Sequence, residues 1–195
     1  WVGSFGFAGG STFAAGADAA TAIVNTHLAA SAAALFWLLV RKATKAQSKP
    51  VDAVIGAVAG LAAIAPAAGF VGPVGAIALG ALGSIGAYTA LSVFDRSLRF
   101  DGSLHVFAVH GVGGILGSLA FPVFVLPAFG GPGYDEAVTV GAQLAAQAVG
   151  IGVAVLWTAI VTAILALMVA TVIPMRANDD PANEELKSDG RNGHV

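Results

Sequence analysis

The sequence predicts an all-α protein, a polytopic bundle of membrane-spanning helices, and three observations carry that prediction. Hydrophobic residues make up 57% of the 195-residue chain, charged residues 10%, and the mean hydropathy is +0.84. A soluble domain of this composition would expose large apolar patches to water. The few charges punctuate the chain and leave uncharged runs long enough to cross roughly 30 Å of hydrocarbon as helices. The basic residues then recur at intervals of two such runs, as a chain crossing back and forth requires. Alanine and glycine outnumber leucine and phenylalanine, which suits helices packed backbone to backbone.

In order, the chain opens on Trp1 to Ala17, uncharged, glycine-rich and short for a full span of about 20 residues. It reads as the tail end of a helix. With no initiator methionine and no signal-peptide pattern, the chain is expected to be a piece of something longer. Ala19 to Val40 gives 22 uncharged residues, one span, and Ala53 to Phe94 gives 42, two spans separated by the helix-breaking segment Pro66 to Pro73. Gly102 to Tyr134 holds a further span that ends around Pro122 to Pro127. Ala137 to Met175 holds 39 residues. As one straight helix it would measure about 58 Å, so it must tilt, protrude or bend, with Gly150 and Gly152 the candidate points.

This reading gives a transmembrane domain over residues 1–175, made of a partial helix and five full spans, and a polar, mixed-charge, flexible tail over residues 176–195. All nine Lys and Arg residues, at 41, 42, 45, 49, 96, 99, 176, 187 and 191, then fall on one side, which the positive-inside rule makes cytoplasmic. The C-terminus is expected on that side. The opposite loops carry only Asp18, Asp135 and Glu136.

The organising stretch is Ser103 to Phe121, an apolar segment carrying His105 and His110. His110 opens a run with glycines at 111, 113, 114 and 117, and Gly113 and Gly117 are spaced to let another helix approach. The helix is expected to pack against neighbours with its histidine turned inward. His110 admits three roles: lining a pore, hydrogen-bonding a neighbouring helix, or binding a metal. An ionisable group at this depth favours the first. His105, five residues earlier, diverges from it by roughly 140° on an α-helix, so the two do not readily share a metal. It lies near Asp101 at the helix end, where a solvated interfacial histidine is the plainer reading. His27 is expected to join Asn25 and Thr26 in an interhelical hydrogen bond.

Several function classes are excluded or unsupported. There is no cysteine for disulfides or thiolate metal sites, and a net charge of −2 offers no basic face for nucleic acid. Neither a nucleophile–base pair, nor a phosphate-binding glycine loop, nor a paired intramembrane carboxylate is visible, so no enzymatic activity and no cofactor are expected. Phe5, Phe7 and Ser11 place aromatic rings and a hydroxyl where the first helix emerges, a combination that packs or attracts a small cation.

Phe5-Gly6-Phe7 with Gly10-Ser11, Val24-Asn25-Thr26, Gly60-Leu61 through Pro66-Ala67-Ala68-Gly69-Phe70, and above all Val106-Phe107-Ala108-Val109-His110-Gly111-Val112-Gly113-Gly114-Ile115 resemble the ammonium transporter (Amt/Mep) family, in the correct order. The resemblance covers Gly3 to Pro174. It implies part of an eleven-helix subunit, from the end of the sixth helix through the eleventh, in a homotrimer in the plasma membrane. It also implies that His110 is the second of two pore histidines, Phe7 a ring of the outer gate, Ser11 the hydroxyl that recruits ammonium, and Val106 a pore-wall residue. The first pore histidine would belong to a helix outside this sequence.

Ser4, Ala8 and His105 depart from the family's usual Trp, Asn and Asp, and the tail resembles only loosely the segment that meets a P-II regulatory protein. Transport of ammonium or ammonia is the function implied. An ammonium sensor signalling through its tail is the alternative, and another small-solute channel of this architecture the third.

Overall fold

Proline and charge place the helix ends. The computed structural model describes residues 1–47, 49–97 and 103–173, and among them all regular structure is helical. The elements are α1 (Val2–Gly10), α2 (Ala17–Ala43), α3 (Pro50–Ile64), α4 (Pro73–Ser97), α5 (Ser103–Val106), a π-helical turn (Phe107–Val112), α6 (Gly113–Phe124), a 3-10 turn (Pro127–Phe129) and α7 (Val140–Ala170). Asp18 lies in the first turn of α2 and Arg41 and Lys42 in its last, the arrangement the helix dipole favours. Pro50 and Pro73 open α3 and α4, where a missing N–H costs nothing.

Four segments are long and apolar enough to cross a membrane: Ala17–Ala43, Pro73–Asp95, Leu104–Phe124 and Val140–Ala170. The five expected full spans become four and one short helix, because α3 has 15 residues, about 22 Å. Ala65 is still helical, but Pro66 has no N–H to bond the Ala62 carbonyl, and the chain leaves the helix through a turn over Ala65–Phe70. The helix–turn–helix expected across Pro66 to Pro73 is as the sequence indicates. α7 runs unbroken through Gly150 and Gly152, at about 46 Å for 31 residues, so its excess over the hydrocarbon thickness is taken up by tilt or protrusion. The chain divides into two compact units, Trp1–Ile151 and Gly152–Val195; the tail expected over residues 176–195 lies outside the described residues.

In the first unit α2 is the hub, packed on α1, α3 and α4, while the π turn and α6 lie on α3 and α4. The core is built from small residues, among them Ala22, Ala29, Ala33, Ala59, Ala63 and Ala76, all with no exposed surface. Such helices gain little from interdigitating large side chains. They gain by backbone proximity, which glycine permits. A methyl group on Gly80 would overlap the Ala29 carbonyl, and one on Gly117 the Ala63 carbonyl.

Buried polar groups tie the helices together. Ser84 Oγ on α4 donates to Ala33 O on α2 at 2.9 Å. Asn25 Nδ2 donates to Ala68 O at 2.9 Å and Val71 O at 2.7 Å, so one amide fixes the turn between α3 and α4. Asn25→Ala should lower stability by about 2 kcal/mol, since it leaves two buried carbonyls without their donor. Thermal unfolding in detergent would measure this, with Thr21→Ala, exposed on the same helix, as a reference expected to change little.

Beyond α6 the Tyr134 hydroxyl donates to Pro122 O at 2.7 Å, satisfying a carbonyl of the last helical turn. Burial pushes the Tyr134 phenol up from its ordinary value. The folded chain therefore holds the neutral form while an unfolded tyrosine ionises near pH 10, so this contribution is complete below about pH 10 and is lost as pH rises through the folded value. A denaturation series across alkaline pH should show a fall in stability that Tyr134→Phe shows less steeply.

Candidate functional site

The π turn decides where His110 points. On an unbroken α-helix positions 110, 113 and 117 would form one stripe and enter the packing together. A π turn closes i to i+5 and accommodates an extra residue, so it rotates the preceding segment against the following one. The result is visible in burial: Ala108, Val109, Gly113 and Gly117 are buried, while Val106, Phe107 and His110 are exposed. Gly113 and Gly117 face α3 as their spacing suggests, with Gly113 near Ala59 and Ala62 and Gly117 on the Ala63 backbone. Within this chain the glycines turn into the bundle, and His110 lies on a face that the chain's own helices leave uncovered.

Val109 belongs to a small cluster with Trp37, Ala59 and Ala87. The Phe107 ring lies over Gly111, so a methyl at 111 would come within 2.8 Å of two ring carbons. Phe107 is also 6.2 Å, centroid to centroid, from Phe94 of α4. These contacts hold the turn from both sides of His110. Pro122, inside α6, lies well beyond the turn and is itself buried.

The other predicted site residues sit on α1 and at its end. Ser11 caps α1, its N–H donating to Phe7 O at 3.1 Å and its Oγ to Ala8 O at 2.7 Å. With its proton so directed, the hydroxyl presents lone pairs outward and can accept from a cationic donor. Phe7 is 68% exposed one turn earlier, and Val106 is 63% exposed on the histidine helix. Ala8, between Phe7 and Ser11, is the residue by which α1 joins the core. Phe7, Ser11, Val106 and His110 thus all lie on uncovered surface, the first two carried by α1 on α2 and the last two by a helix on α3 and α4.

His27 departs from expectation. It is exposed, with its ring 5.4 Å from Trp1 and 6.0 Å from Phe5, and the interhelical bonds belong to Asn25, while Thr26 Oγ1 donates back to Ala22 O at 2.7 Å. The placement follows from phase: Asn25 shares the stripe of buried Ala22 and Ala29, and His27 does not. His105 is half exposed at the helix end, as expected of a solvated histidine, and its Nε2 lies 3.0 Å from Asp95 Oδ1 on α4; Asp101, beside which it was expected, lies outside the described residues.

A second charged group went unnoticed in the sequence. Asp52 is buried and its Oδ2 meets Arg41 Nε at 3.0 Å and the Lys49 N–H at 2.5 Å. Arg41 Nη2 also donates to Gln47 O. Asp52 at the third position of a helix beginning at Pro50 was the available signal, since acidic residues there accept from the N-cap N–H. Tyr88 OH and Thr44 Oγ1, 2.8 Å apart, complete the link between the same ends of α2 and α4. A cavity of about 270 Å³ lies here, lined by Trp37, Arg41, Asp52, Tyr88, Asp95 and His105 among others.

A bundle of membrane-length apolar helices defines a polytopic integral membrane protein, here with an imidazole set within one of the apolar spans. Residues 1–191 match the Ammonium Transporter Family, and the chain belongs to it. An ammonium transporter of Aquifex aeolicus is 38% identical over 192 residues, covering 97% of this chain and 44% of its own length. One from Bacillus subtilis is 33% identical over 181 residues, covering 92% and 45%.

Among solved structures, a sensor Amt protein superposes with a TM-score of 0.81 at 31% identity, over 95% of this chain and 44% of its own. Mep2 of Saccharomyces cerevisiae superposes with a TM-score of 0.72 at 33% identity, over 88% and 41%. The chain therefore spans less than half the length of these relatives.

Proposed function

We propose that the full-length protein moves ammonium or ammonia across the plasma membrane, that this chain supplies part of the wall of the passage, and that His110 faces it. The observation that carries the reading is the π turn, which withdraws His110 from the packing of α3 and α4 and leaves it uncovered within the apolar span. Segments outside this chain would complete the opposite wall.

In this reading Phe7 and Ser11 receive the cation at the outer end through a ring face and hydroxyl lone pairs. Desolvation in a narrow apolar passage then penalises the charged form and favours loss of its proton. Val106 keeps the wall apolar, and His110 provides a nitrogen that donates or accepts within the span. No bond to the substrate is made or broken except to its proton, and the protein is not an enzyme. We place the basic ends of α2 and α4 and the C-terminal tail on the cytoplasmic side, by the positive-inside rule, with three copies as the assembly and the tail as a point of contact for a P-II protein.

The test is ammonium uptake by the full-length protein in sealed vesicles, with and without residues 176–195. Saturable uptake above protein-free vesicles, surviving tail removal, supports transport. Binding of ammonium without uptake would overturn it in favour of a sensor.

A further inference from the structure

The π turn has two flanks, and they are held very differently. On the far side Gly113 and Gly117 sit against the backbones of Ala59 and Ala63, where nothing can slide without a clash. On the near side is α5, a single turn of four residues, with His105 and Val106 exposed. Its side-chain tie to the bundle among the described residues is His105 Nε2 to Asp95 Oδ1, 3.0 Å. A π turn differs from an α turn by one residue of register, so a slip of α5 would convert one to the other and swing His110 by about 100°. Whatever fixes α5 therefore fixes the face on which His110 is presented.

We propose that the Asp95–His105 contact is the positioning contact that holds α5 in register, so that the π turn presents His110 to the passage. This rests on the reading of His110 given above. A hydrogen bond from an imidazole to a carboxylate is charge-assisted, and so shorter and stronger than one between neutral groups.

The groups facing His105 across the cavity are Arg41, Lys49, Asp52, Tyr88 and Asp95. Asp52 is committed to Arg41 and the Lys49 N–H, so among the described residues Asp95 is the carboxylate left to meet the imidazole. Both partners are half exposed, so the pair adds little to overall stability. Its effect is on register.

The experiment uses the full-length protein in vesicles, with methylammonium uptake read for wild type, Asp95→Asn, His105→Gln, the double variant Asp95→Lys/His105→Asp, and His110→Ala. The single variants should lose about fivefold in uptake. The double variant restores an opposite-charge pair between the same two positions, so it should recover the rate.

Wild-type rates in both single variants would overturn the proposal. So would a folded double variant as impaired as the singles, because identity rather than pairing would then matter. His110→Ala separates the layers: if it alone abolishes uptake, only the anchor is wrong, and if it is silent, the reading of His110 fails first.

Discussion

His110→Ala in the full-length protein should reduce ammonium uptake by about 100-fold, the lower end of what a positioned proton-handling side chain supplies. The same change should barely alter thermal unfolding, because this chain's helices leave the ring uncovered and, in this reading, it borders the passage and not a helix contact. The pairing of these two outcomes is the point. A structural histidine would lose stability and function together, whereas a passage-facing one loses flux alone. Uptake at the wild-type rate in a well-folded His110→Ala protein would remove the residue from the mechanism.

The second large effect concerns two glycines three residues apart. Gly117→Ala should destabilise the protein by about 3 kcal/mol, because its methyl would overlap the Ala63 carbonyl and the backbones of α3 and α6 must separate to admit it. Gly114→Ala should be neutral or slightly stabilising. Its methyl would meet the Ala62 carbonyl at an ordinary 3.9 Å, and alanine is the better helix former. Unfolding of the two proteins side by side in one detergent would measure the difference, and equal losses would mean that the helices do not meet along the Gly113–Gly117 face.

Much of the architecture was legible because hydrocarbon imposes strict demands on a chain. Backbone groups must be satisfied within a helix, so uncharged runs bounded by charge or proline read directly as α2, α4, the histidine helix and α7. The Pro66 to Pro73 break was equally plain, and so was the role of Gly113 and Gly117. The short reach of α3 was less so, because run length counts apolar residues and the turn over Ala65–Phe70 is apolar too.

The site was legible as a set of residue types and not as a geometry. His110 stood out because an imidazole in such a run needs a reason, yet its separation from the glycine stripe was not legible, since periodicity assumes 3.6 residues per turn throughout. Asn25 and Asp52 were present in the sequence as polar residues within or beside spans. Their partners, the Ala68 and Val71 carbonyls and the Arg41 guanidinium, are backbone atoms or distant side chains that no local pattern names. His27 was assigned Asn25 and Thr26 as its company and has Trp1 and Phe5 instead, while His105 meets Asp95, a residue on another helix that no local pattern names.

Taken by itself, the order of residues determined that this chain crosses a membrane repeatedly, where it turns, which ends carry the positive charge, and which family it resembles. All of these follow from solvation energies that depend on residue identity and spacing alone. Only the tertiary structure decided which face of each helix is covered. That choice depends on how closely backbones approach at Gly60, Gly80 and Gly117 and on one extra residue in the turn at Phe107–Val112, and both are properties of contacts between segments distant in the chain.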